Sequence, residues 1–119
     1  MLMTLNCPEL DIYHKECEEL LQNFDYLDFM TSYTTLLEHT QKHFAHEEHL
    51  MKTLNFRGFS EHHDEHQKIL GEMSQFLAMA NRGNVFLAKN YVKNTLSERF
   101  DLHVRNIDSQ LAMFLKTQV

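Results

Sequence analysis

Nine of the 119 residues are histidine, an unusual supply of metal-binding and proton-transferring side chains for so short a chain. Six polar residues stand out by position. His14, His43, Glu47, His62, His66 and His103 recur at helical spacing among apolar neighbours, on faces that must be buried. A buried carboxylate or imidazolium without a partner costs several kcal/mol. Six of them in one small interior require a shared partner, and a metal cluster satisfies all of them at once. His62 and His66 are four residues apart, so both rings stand on one helix face and can reach one ion; His43 and Glu47 share that spacing. A mixed imidazole and carboxylate set suits Fe, Zn, Mn or Cu, and no CxxC thiolate motif competes.

Two other metal arrangements fail on spacing. The zinc-binding HExxH pattern is approached by His46-Glu47-Glu48-His49, which is one residue short, and by His62-His63-Asp64-Glu65-His66, which lacks the glutamate. The Glu-x-x-His pairs of ferritin-like di-iron bundles are absent, since no histidine has a glutamate three residues before it. His39, His46, His49 and His63 lie off or beside the apolar stripes and read as surface residues. Glu48 reads as a neighbour of the ligands or as a solvated carboxylate.

Four amphipathic helices must position these residues. The first stripe runs from Leu10 through His14, Cys17, Leu20 and Phe24 to Leu27, with Pro8 in a first turn that tolerates it. The second runs from Met30 through Tyr33, Leu36, Thr40, His43 and Glu47 to Leu54. The third runs from Phe59 through His62, His66, Ile69 and Met73 to Ala80, with Ser60 as its N-cap and Gly83 at its stop. The fourth runs from Phe86 through Val92, Leu96, Phe100, His103 and Leu111 to Phe114. The methionines at 30, 51, 73, 79 and 113 read as core rather than as a copper site. The links, about 25–31, 55–59 and 82–84, are short, and short links turn successive helices back on one another. The expected fold is all-α: an up-down-up-down antiparallel four-helix bundle with a short N-terminal arm, one domain over residues 1–119.

Composition agrees with that reading. Three glycines and one proline are too few for a fold of many tight turns. A net charge of −6 speaks against nucleic acid or an anionic membrane as the main partner. No apolar run approaches the ~18 residues of a membrane span, and Met1 to Asn6 carry no basic cluster of a secretory signal. Cys7 and Cys17 read as free thiols of a cytoplasmic chain.

The ordered set of motifs resembles the hemerythrins, most closely the single-domain bacterial ones. The residues that carry the resemblance are His14 in Asp11-Ile12-Tyr13-His14-Lys15, the run His43-Phe44-Ala45-His46-Glu47-Glu48-His49-Leu50-Met51, His62-x-x-x-His66, and His103-x-x-x-x-Asp108. The resemblance spans about residues 5–115. It implies a non-haem di-iron centre with an oxo or hydroxo bridge derived from solvent. His62, His66 and His103 would fill one iron. His14 and His43 would bind the other and leave a position open, and Glu47 and Asp108 would bridge both. It implies reversible O2 binding at the open iron, for storage, delivery or scavenging. The alternatives are an oxygen or redox sensor, or an enzyme that handles peroxide or nitric oxide at the same site. His103 and Asp108 are five residues apart, about 140° around a straight helix. Both reach one cluster only if the helix is irregular there.

The resemblance also places Cys17, Phe44, Arg99, Phe100 and Val104 around an oxygen pocket. The family often carries tryptophan where this chain has Arg99, and an aliphatic residue where it has Cys17. Arg99 is expected to pack its stem and turn its head to solvent, and Cys17 to serve as a small core residue.

Overall fold

The computed structural model describes residues 4–118; residues 1–3 of the expected N-terminal arm, and Val119, lie outside them. The described chain is helical, with no strand. Helix α1 is Pro8–Gln22, α2 is Phe29–Thr53 and α3 is Phe59–Asn81. The fourth helix, α4, covers residues 85–116 without a break. Its α-helical stretches Val85–Tyr91, Ser97–His103 and Ser109–Lys116 are joined by π-helical segments at Val92–Leu96 and Val104–Asp108. Helix α1 packs on α2, α2 on α3, and α3 on α4. No helix of the described residues is long and apolar enough to cross a membrane.

Local chemistry explains where the helices stop. Helix α1 ends at Gln22, so Leu27 is not on its stripe; it sits fully exposed in a 3-10 turn, Tyr26–Asp28. Asp25 caps that turn by accepting from the Leu27 amide at 2.9 Å, a side-chain bond that competes with helix continuation. Helix α3 starts two residues earlier than a Ser60 cap would allow. Its N-cap is Gly58, where an added Cβ would lie 2.7 Å from the Phe56 ring. Gly83 ends α3 with φ +93, the left-handed conformation that suits a helix C-terminus. Phe86, expected inward, is 77% exposed, because Ala88, Tyr91 and Val92 take the buried face of α4. Met51 and Met73 are fully buried, whereas Met30 and Met113 are exposed.

The interior consists of two apolar clusters. The larger gathers Cys17, Tyr33, Leu36, Phe44, Met73, Leu96 and Phe100 among others. The smaller contains Leu5, Cys7, Leu10, Met51, Val104, Leu111 and Ala112. All four helices also carry buried polar residues near the point where they pass from one cluster to the other. Helix α1 meets the smaller cluster first and the larger second; α2 reverses that order, α3 restores it and α4 reverses it again. The chain before α1 closes the smaller cluster. Asp11 accepts from the amides of Leu5 and Cys7, each at 2.9 Å, and Lys116 Nζ donates to the Leu5 carbonyl at 2.7 Å.

Candidate metal centre

His14, His43, Glu47, His62, His66, His103 and Asp108 are all buried, and the fold brings them together. Each helix supplies its share through a simple geometric rule. On α2 and α3 the i,i+4 spacing stacks His43 over Glu47 and His62 over His66. On α4 an α-helical turn would aim Asp108 away from His103. The π segment Val104–Asp108 inserts one extra residue into the turn, so residues five apart share a face. That segment is the irregularity the His103–Asp108 spacing calls for, and α-helix resumes at Ser109.

The two carboxylates divide their oxygens. Glu47 Oε2 lies 2.6 Å from His43 Nε2 and 3.8 Å from His14 Nε2, while its Oε1 lies 3.0 Å from Nε2 of both His62 and His66. Asp108 Oδ2 lies 2.8 Å from His14 Nε2, and its Oδ1 lies 2.9 Å from His62 Nε2 and 3.0 Å from His103 Nε2. Two donor sets result, each with ligand atoms within 4.8 Å of one another: His14, His43, Glu47 and Asp108; and Glu47, His62, His66, His103 and Asp108. The carboxylates belong to both.

Burial and mutual charge act in opposite directions on these groups. Burial pushes Glu47 up, but the facing imidazoles of His43, His14 and His62 hold it well below the usual carboxylate range. Burial and the nearby Glu47 charge push Asp108 up, and His103 and His14 bring it down below its ordinary value. Burial lowers His14 and His62, yet their contacts with Asp108 and Glu47 raise both to about 9. The hydrogen bonds are incomplete. His103 Nε2 and Asp108 Oδ1 are 3.0 Å apart, but neither has an aligned hydrogen-bond partner. That one close but unbonded pair fits ligand atoms aimed at a cation rather than at each other. Imidazole nitrogen and shared carboxylate suit first-row transition metals, so the donor set fits two such ions.

The surround is apolar on one side and aromatic on another. Phe44 stacks on His66, with ring centroids 3.8 Å apart and planes 5° apart. Tyr13 stacks on His43 at 5.4 Å. Cys17 and Phe100 lie buried in the larger apolar cluster and Val104 in the smaller. Burial pushes the Cys17 thiol up to about 12, which makes it a neutral core group. Arg99 leaves the pocket group: its guanidinium is on the surface and Nε donates to Glu72 Oε1 at 3.1 Å. Solvation of the charged head, with a carboxylate partner on α3, outweighs any inward pull.

One pairing was not legible in the sequence. Glu48 accepts from His66 Nδ1 at 2.9 Å and from His63 Nδ1 at 2.7 Å. The signal was present in the spacing: Glu48 follows Glu47 and His63 follows His62, so on each helix they are turned about 100° off the cluster. Whether those two offsets meet depends on how α2 and α3 face each other. His63 is therefore paired though partly exposed, and Glu48 is a neighbour of the ligands, one of the two places its sequence position allowed. Comparison with protein-family models, curated proteins and solved structures gives no match for this chain.

Proposed function

We propose that the chain is an up-down-up-down antiparallel bundle built around a carboxylate-bridged dinuclear metal centre. The alternating order in which the four helices meet the two apolar clusters supports the topology. Within that class we read it as a hemerythrin-like di-iron protein that binds O2 reversibly, not as an enzyme. One observation carries this reading: the two donor sets share both carboxylates but are unequal, with three histidines on one side and two on the other. The poorer set leaves room for a small exogenous ligand.

His14, His43, Glu47, His62, His66, His103 and Asp108 would hold a pair of ferrous ions, which when bound would supply two electrons to O2. Glu47 and Asp108 offset part of the ions' charge in a site with no exposure at either residue. His14 and His43 present two imidazoles at the unequal side, and Phe44, Cys17 and Phe100 bury the cluster's flank against water. Arg99, the polar group that would favour peroxide chemistry, faces solvent instead, which supports binding ahead of turnover. A net charge of −6 speaks against nucleic acid, and the partner we propose is O2 itself.

The test uses protein purified without air and loaded with Fe(II). Two irons per chain are expected, with a coloured form that appears in O2 and bleaches when the gas is stripped. Direct passage to a stable oxidised form would sink the carrier reading and favour sensing or peroxide chemistry.

A further inference from the structure

Resting on the reading of the buried cluster as a metal centre, we propose that Glu48 is a positioning residue for His66, held in place by His63. Among the ring nitrogens that face away from the cluster, the Nδ1 atoms of His14, His62 and His103 are buried without a partner among the described residues. His66 Nδ1 differs: it donates to a carboxylate at 2.9 Å. That bond fixes the ring's tautomer, leaving Nε2 as the atom presented to Glu47 and the cluster. The His66 side chain has no exposure and that of Glu48 is 18% exposed, so the bond is sheltered from competing water.

Glu48 is itself clamped. Its other oxygen accepts from His63 Nδ1 at 2.7 Å, and the His63 ring stacks on Phe59 with planes 11° apart. Lys52 Nζ lies 5.4 Å from the Phe59 centroid on the far end of this chain of contacts. A partly exposed surface pair on α2 and α3 thus sets the orientation of one buried ligand. Phe44 closes the sandwich from within by stacking on the His66 ring.

The experiment compares wild type with Glu48→Ala, Glu48→Gln and His63→Ala. Co(II) is titrated against a competing chelator, and ring N–H protons are observed by NMR in the Zn(II)-loaded protein. Glu48→Ala is expected to weaken Co(II) binding about 10–100-fold and to lose the protected His66 N–H resonance. Glu48→Gln keeps an acceptor oxygen and is expected to recover most of the affinity and the resonance. His63→Ala is expected to shift both readouts in the direction of Glu48→Ala, by less. A role in packing alone would lower the melting temperature of the metal-free protein without moving the resonance. Wild-type Co(II) affinity in Glu48→Ala, or a His66 N–H still protected there, overturns the proposal and leaves the metal centre standing. Failure of the wild type to bind Co(II) overturns both. Should Glu48→Ala fail to fold, His63→Ala decides: unchanged affinity and resonance in that variant overturn the clamp.

Discussion

Glu47 and Asp108 are the residues on which the centre depends, because each serves both donor sets. Substituting Glu47→Ala should lower bound iron from two ions per chain to one or fewer, measured by metal analysis after desalting. Asp108→Asn should act in the same direction, since the amide keeps an oxygen but presents N–H to one set. Unchanged iron in both would mean that the histidines bind metal adventitiously. The metal-free protein should also show a distinctive pH profile. His14 and His62 are raised from 6.5 to about 9, so their stabilising contribution is whole below 6.5 and is lost as pH rises through 9. Glu47 and Asp108 are depressed from 4.5 and 3.8, so theirs is whole above those values and is lost as pH falls below them. The melting temperature of the metal-free form should therefore be highest between 4.5 and 6.5 and fall on both sides. Loading metal at pH 7 should release protons from His14 and His62, detectable with an indicator in weak buffer.

At the scale of the element, the π segment Val104–Asp108 is the device that matters. It holds His103 and Asp108 on one face at a spacing that a straight α-helix cannot accommodate. Inserting one alanine after the exposed Asn106 should rotate Asp108 by about 100° from the cluster, whereas deleting a residue would leave His103 and Asp108 at the same-face i,i+4 spacing. Helix content by circular dichroism should be nearly unchanged, while iron per chain falls to one or fewer. An insertion variant that retains two irons would show that Asp108 is not required as a bridge. The segment at Val92–Leu96 shifts the register of α4 once more, ahead of the site. It follows Tyr91, whose ring stacks on Phe76 at 4.0 Å, so that part of α4 is held to α3 by an aromatic pair.

For the whole molecule, the polar layer interrupts the core. Seven of the buried polar side chains are gathered in an interior that otherwise forms two separate apolar clusters, and five of the seven are imidazoles. Without a cation the layer holds crowded, partly unpaired groups, which is costly in a low-dielectric interior. Metal removal should therefore destabilise the fold rather than leave a neutral cavity. A cation at a hundredfold excess over its dissociation constant adds about 2.7 kcal/mol, or roughly 10 °C in melting temperature for a chain of this size. Thermal melts with and without a chelator check this. Equal melting temperatures would mean that the layer is self-sufficient and the centre incidental to folding.

The sequence by itself determined four helices and the face each one buries, because apolar periodicity and i,i+4 ligand pairs are local properties of a helix. It also determined six of the seven cluster residues, since polar side chains on a buried stripe violate the stripe. Asp108 was legible only through family resemblance: by α-helical spacing from His103 it points elsewhere, and only the π segment turns it inward. The ends of helices were less legible, as Leu27 and Phe86 show, because capping and tertiary burial outvote apolar character there. What only the tertiary structure decided is how the carboxylates share their oxygens and how Glu48 meets His63 and His66. Those are contacts between helices 15 or more residues apart in the chain, set by the rotation of one packed helix against another, and local sequence carries no record of that rotation.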